Sequence, residues 1–222
     1  MNTEDDLQAT PRHRKQDKLR KQKKKKEKIN TENIPTTSEL YEFNVICLEE
    51  NNRLRSLHNC PQLKLSRKLM KSAQQHSEFL RQQRQLQQVA DIKYGQNMAL
   101  IIGQSDYKVA GLNAIQAWYK QSENYDYKEH SQLNRGYFTQ MIWRDTRKVG
   151  FGFAIHEQGN VVFVVGHYLP AGNKNEEYME NVPSKIEEND QTDSIKPDRS
   201  IPTNKENYSH SPRCPTGQCV II

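Results

Sequence analysis

The run Val161-Val162-Phe163-Val164-Val165 limits the possible folds of this chain more than any other stretch. A strand with one wet face alternates apolar and polar residues. This one does not, so both of its faces need cover. Ahead of it, Val149 to Ile155 is apolar and β-prone, and Gln158-Gly159-Asn160 is a turn. Two such runs around a short glycine-containing turn predict a hairpin. Helices packed on both sides of the sheet would bury the second strand.

The chain supplies such helices. Glu39 to Leu57 reads as a helix, with Phe43, Ile46, Cys47, Leu54 and Leu57 at helical spacing. Asn59-Cys60-Pro61 ends it, because the residue before proline avoids the helical region. Ser66 is a candidate N-cap for a second helix to about Gln83, with Leu69, Met70, Ala73, Ser77 and Leu80 on its buried face. Lys108 to Gln121 predicts a third, with Leu112, Ile115 and Trp118 on one side, and Gly136 to Trp143 a short fourth. Tyr94 to Ala99 reads as a turn into a short apolar piece.

Composition places tails around this core. Only 34% of the 222 residues are hydrophobic, and the mean hydropathy is −1.00. That is too little apolar surface to order the whole chain. We expect a basic, unstructured arm over 1–38, a domain over 39–182 and an unstructured tail over 183–222. Residues 1–28 hold 11 Lys/Arg and 5 Asp/Glu, which accounts for the entire net charge of +6. The charge concentrates at Lys21, Lys23, Lys24, Lys25, Lys26 and Lys28. Such a block suits a solubilising tail, an anionic membrane leaflet, or nuclear import and nucleic-acid contact. No aromatic residue interleaves it, so it offers bases no stacking platform, and nucleic acid is the weakest of these partners. Met1 to Asp6 is acidic and no apolar run follows, so no secretory signal is expected. Asn2 excludes N-myristoylation.

Four cysteines occur, at 47, 60, 214 and 219. About ten helical residues between Cys47 and Cys60 span roughly 15 Å. A disulfide needs Cα atoms within about 7 Å. Both read as thiols, which suits a reducing compartment.

The stretch Gly136-Tyr137-Phe138-Thr139-Gln140-Met141-Ile142-Trp143 and the string Gly166-His167-Tyr168-Leu169-Pro170-Ala171-Gly172-Asn173 resemble the two signatures of the CAP superfamily (cysteine-rich secretory, antigen 5 and pathogenesis-related 1 proteins). Trp118-Tyr119, Asn51-Asn52-Arg53-Leu54-Arg55 and Gly95-Gln96-Asn97-Met98-Ala99 resemble further segments of the same family. The resemblance covers about Tyr41 to Val182 and is nearest to the Golgi-associated, non-secreted branch. It implies an α+β fold, a three-layer α-β-α sandwich with one cleft.

In many members that cleft holds two histidines and two glutamates, a set suited to zinc. This chain has Gln96 and Gln121 at the glutamate positions, with Glu123 close to the second. Tyr137 stands at one histidine position, and no histidine occurs between Gln87 and Asp91. An amide lacks the charge that attracts a cation, and a phenol with a pKa near ~10 is a poor ligand at neutral pH. We therefore expect no metal and no cofactor. The other histidines read as structural. His13 and His210 lie in the tails. His58, His76, His130 and His156 fall at helix exits, polar faces or turns, and His167 faces either the sheet interior or solvent. No serine or cysteine sits in a nucleophile elbow, and no glycine-rich phosphate loop occurs. The expectation is a protein without enzymatic activity.

The final residues, Cys219-Val220-Ile221-Ile222, fit a C-a-a-X prenylation box. Cys214 is a candidate for palmitoylation, since two membrane signals anchor stably where one does not. The resulting expectation is a CAP-domain protein on the cytoplasmic face of a membrane, Golgi or another endomembrane, binding a lipid or a protein partner. The rivals are a secreted CAP protein exported without a signal, a metal-dependent hydrolase, which the site chemistry disfavours, and a nuclear protein using the arm.

Overall fold

The computed structural model describes residues 34–90, 93–129, 134–186 and the backbone of 219–220. The chain divides into two units, residues 1–34 and 35–222. Ile34 alone represents the first among the described residues, so the arm lysines Lys21 to Lys28 lie outside them, as does Cys214.

In the second unit the elements are α1 (Thr37–Ser56), β1 (Lys64–Leu65), α2 (Arg67–Gln83), β2 (Gly95–Ile102), α3 (Tyr107–Lys120), α4 (Gly136–Ile142), β3 (Lys148–Ile155), β4 (Val161–Leu169), α5 (Tyr178–Asn181) and β5 (Cys219–Val220). The sheet order is β1-β3-β4-β2-β5. β1 runs parallel to β3, and the other neighbours are antiparallel.

The expected hairpin is β3–β4, and β4 lies inside the sheet with both faces covered. On one face Phe163 and Val165 pack with Ala73 and Leu80 of α2. On the other, Val162, Val164 and Tyr168 join the larger core with Phe43 of α1, Trp118 of α3 and Phe138 of α4. The result is the three-layer α-β-α sandwich, with α2 alone forming one outer layer.

Close approach of helix to sheet depends on two glycines of β3. A Cβ on Gly150 would lie 2.1 Å from Met70 N, and one on Gly152 would lie 2.3 Å from Gln74 N. These are backbone atoms, so a flexible side chain cannot yield. Gln74 completes the contact, its amide donating to Phe153 O at 2.8 Å and accepting from Phe153 N at 3.1 Å. On the opposite face Asn44 makes the equivalent pair with Phe151, at 2.8 and 2.7 Å. One amide side chain from each helical layer thus bonds the backbone of β3 in both directions.

Several elements depart from the sequence reading. α1 begins earlier than Glu39 because Thr36 caps it. Thr36 Oγ1 accepts from Glu39 N at 3.2 Å, and Glu39 returns a carboxylate oxygen to Thr36 N at 2.7 Å. Ser66 is the N-cap of α2, but its side chain makes no capping bond. On α3 the buried face is Ala110, Gly111, Ala114, Ile115 and Trp118 rather than the Leu112 side. Small residues are needed there, since a Cβ on Gly111 would meet the Phe43 ring at 2.6 Å. The segment read as a turn at Tyr94–Ala99 is mostly a strand, and β2 pairs with β4 along its full length from Gly95↔Tyr168 to Ile102↔Val161.

The expectation of an unstructured tail over 183–222 needs correction at two places. His58 Nδ1 lies 2.8 Å from Pro183 O, and Ile186 N donates to Leu57 O, so the chain stays docked to the exit of α1. Cys219 and Val220, two residues of the proposed prenylation box, pair with Ile101 and Leu100. The outer edge of β2 presents unpaired backbone groups and accepts an extended segment whatever its local pattern. Among the described residues Cys47 and Cys60 are free and buried thiols.

Gly152→Ala should lower stability by about 1–3 kcal/mol, as overpacking against rigid neighbours does. Urea denaturation measures it, and an unchanged midpoint would show that α2 can move away from the sheet without loss.

Candidate functional site

The site is built around α4, six of whose seven residues are buried. A helix this short needs outside partners for its terminal backbone groups. Arg135 at its N-cap makes no side-chain capping bond. Gln121, at the end of α3, takes over that role, and its Oε1 accepts from Tyr137 N at 3.0 Å and Phe138 N at 3.2 Å. Arg135 in turn donates to Gln121 O at 2.8 Å.

The rest of α4 is joined to the turn after β4. Gln140 Oε1 accepts from Gly172 N at 2.8 Å, and Gln140 Nε2 donates to Thr146 Oγ1 at 3.3 Å. Thr139 Oγ1 donates to Asn173 Oδ1 at 2.6 Å, and Asn173 Nδ2 donates to Gly136 O at 2.8 Å. The two signature segments are therefore one hydrogen-bonded unit. Gly95 has no Cβ for the same reason: it would sit 1.7 Å from Gln140 Oε1.

Tyr137 is 7% exposed, with its ring 6.4 Å from that of Trp118. Burial raises its pKa above the ordinary phenol value, which makes the ligating phenolate still less accessible. Its carbonyl accepts from Asn97 Nδ2 at 3.0 Å. Gln96, next along β2, faces the other way. Its amide accepts from Val89 N at 3.0 Å and donates to Val89 O at 2.9 Å, pinning the loop 84–90 that follows α2. The structure thus brings Gln121 to the backbone of Tyr137 and gives Gln96 to Val89.

These groups do not fit a divalent ion. The aligned positions offer two amides and a buried phenol, and both amide oxygens already accept from backbone N–H groups. Asn97 Oδ1 is a buried acceptor without a hydrogen-bond partner among the described residues, but one neutral oxygen does not make a cation site. No cluster of three His, Cys, Asp or Glu side chains suited to a metal occurs among the described residues.

A polar cluster that the sequence reading missed lies on the α2 side of the sheet. His76 and His167, respectively 4% and 1% exposed, meet with Nδ1 of the first 3.1 Å from Nε2 of the second. By sequence His76 falls among helix exits, polar faces and turns. The signal for its burial is its spacing, three residues after Ala73 and four before Leu80 on the α2 stripe.

The profile of the cysteine-rich secretory protein (CAP) family matches residues 48–168. The chain belongs to this family. It is 35% identical over 136 residues to the human Golgi-associated plant pathogenesis-related protein 1, covering 60% of this chain and 85% of that one. It is 30% identical over 134 residues to a probable pathogenesis-related protein of Candida albicans, covering 59% of this chain and 61% of the relative, less than two thirds of that protein's length. Among solved structures, NaASP2 with Zn2+ superposes with a TM-score of 0.52 at 20% identity, covering 71% of this chain and 90% of that one. That likeness supports the CAP fold. The zinc belongs to that structure.

Two outcomes follow from this geometry. Gln121→Ala should cost about 1–2 kcal/mol, as loss of a helix cap does, and should speed hydrogen exchange at the Tyr137 and Phe138 amides. Tyr137→His alone should show no sub-micromolar zinc binding by calorimetry, because the carboxylates are still missing; tight binding by that variant would overturn the donor-set argument.

Proposed function

We propose that this CAP-domain protein has no enzymatic activity and works at the cytoplasmic face of a membrane, binding lipid or a protein partner. The observation that carries the reading is the use of Gln96 and Gln121. Side chains at the positions where metal-dependent members would carry charge are spent on the backbone of Val89, Tyr137 and Phe138. The cleft that the family resemblance implies would then lack charge at these positions, which suits binding rather than polarising a substrate.

Two further features support a membrane surface as the partner. The arm over residues 1–28 brings 11 basic side chains, each contributing about 1 kcal/mol near an anionic leaflet and screened by salt. On the folded unit, a shallow groove along α2 is lined by Arg67, Met70, Lys71, Gln74 and Gln75, with Leu40 of α1. The described ion pairs include neither of its two cations. Two such cations beside apolar side chains are complementary to an anionic lipid. The Golgi association named for the human relative agrees with an endomembrane. Lipid attachment at Cys219, with Cys214 as a second site, would add a hydrophobic anchor of about 0.8 kcal/mol per buried methylene.

Flotation of the full chain with phosphatidylserine vesicles tests this. Replacing Lys21 and Lys23 to Lys26 by alanine should reduce binding, most visibly at low salt. In cells, Cys219→Ser should shift the protein from membrane to soluble fractions by more than the arm variant does. Equal binding to anionic and neutral vesicles would sink the membrane reading, and an unmodified C-terminal peptide by mass spectrometry would remove the lipid anchor from it.

A further inference from the structure

The hydrogen bonds around His76 and His167 have a single self-consistent direction. His76 Nε2 lies 2.8 Å from Gln87 O, and a carbonyl only accepts, so Nε2 carries the hydrogen. In the neutral ring His76 Nδ1 is then bare and accepts from His167 Nε2 at 3.1 Å. His167 Nδ1 is bare in its turn, and Ser72 Oγ donates to it at 3.2 Å. With both rings neutral the chain Ser72→His167→His76→Gln87 is fully satisfied in this direction.

Its end point is the loop 84–90, which is held at three places. His76 holds Gln87 O, the Gln96 amide holds both backbone groups of Val89, and Leu86 packs on the cluster of Ala73, Leu80 and Phe163. His167 and Gln96 are cross-strand partners, so the two polar anchors share one face of the sheet.

We propose that the His76–His167 pair is an acid-operated latch on the loop 84–90, closed when both rings are neutral and released by proton uptake. One proton can be taken up at His167 Nδ1 if Ser72 turns from donor to acceptor, with the contacts to His76 and Gln87 unchanged. A second proton places two N–H groups against each other at the His76–His167 contact, and no arrangement of the chain absorbs it.

Among the described residues no carboxylate hydrogen-bonds either ring, and the Gln87 carbonyl, which favours a charged His76, is outweighed by burial. On α2, Glu78 is turned to Arg81 and Gln74. Opposite His167, β3 presents Gly150 and β2 presents Gln96. The Tyr94 ring stands 5.3 Å from the His167 ring, and Arg84 and Lys93 flank the loop as cations. Burial accordingly lowers the pKa of both histidines, that of His167 to about 3, with His76 as its second cause. The folded values lie below the ordinary imidazole value of 6.5, which a ring freed to water on opening regains. The latch is therefore fully closed above about pH 6.5 and weakens as pH falls below it, since the open form binds more protons. Each histidine that gains a proton on opening raises the opening constant by up to about tenfold per pH unit.

Hydrogen exchange of the Val89 amide in the full chain, corrected for intrinsic rates, measures this opening between about pH 7.5 and pH 4.5. The expected result is a flat opening constant above pH 6.5 and a rise of more than about tenfold per unit below it. His76→Gln and His167→Gln keep a neutral amide in place of each ring. Each single variant should show about half the logarithmic slope, and the double variant should be flat. A flat profile in the unsubstituted chain would overturn the proposal. So would a full slope in the double variant or, if that variant does not fold, in His76→Gln.

Discussion

The buried guanidinium of Arg55 holds together the parts of this molecule on which everything else rests. It is fully enclosed and donates to the carbonyls of Pro61 at 2.8 Å, Met141 at 2.8 Å, Trp143 at 2.9 Å and Thr146 at 3.4 Å. No carboxylate lies among these acceptors. The charge is held by carbonyl dipoles at the exit of α1, the end of α4 and the turn into β3. A cation at a helix C-terminus is favourable because the last carbonyls lack partners. Burial lowers its pKa to about 10, which leaves it charged at neutral pH. Asn51 supports the same corner, donating to Met141 O and accepting from Tyr168 OH at 3.0 Å.

Once that corner is set, the geometry of α4 follows. The helix is too short to be stable alone. Arg55 and Asn51 fix its far end, Gln121 its near end, and Gln140 and Thr139 bind it to the turn after β4. The two signature segments occur together because each supplies hydrogen-bond partners that the other lacks. Side chains set on such a support are held in place by packing and hydrogen bonds.

The two faces of the sheet then have different characters. The side of α1, α3 and α4 carries the tightly hydrogen-bonded segment around Tyr137. The side of α2 carries two buried imidazoles and the loop they restrain. Gln96 belongs by sequence to the first and by contact to the second, because alternation along β2 turns neighbouring side chains to opposite faces. The residue aligned with a family carboxylate thus serves as a loop anchor.

Much of this architecture was legible in the chain itself. The unalternating run of β4 demanded two covering layers, and the helices that supply them showed in the spacing of Phe43, Cys47, Leu69, Ala73, Ile115 and Trp118. The signature segments named the family, and Gln96, Gln121 and Tyr137 marked where its site chemistry departs. The Thr36–Glu39 capping box was also written there and was overlooked. Other features could not be read locally. Gly95 to Ile102 becomes a strand through pairing with β4, and Cys219–Val220 through the open edge of β2. Gly150 and Gly152 look like strand breakers until α2 lies against them. Whether His167 faced core or solvent depended on where α2 places His76, 91 residues away in sequence. Periodicity encodes which face of an element is apolar, because neighbours on a face recur within a few residues. Hydrogen-bond partners, ring protonation and close backbone approach belong to pairs distant in sequence, and only the packed structure brings those pairs together.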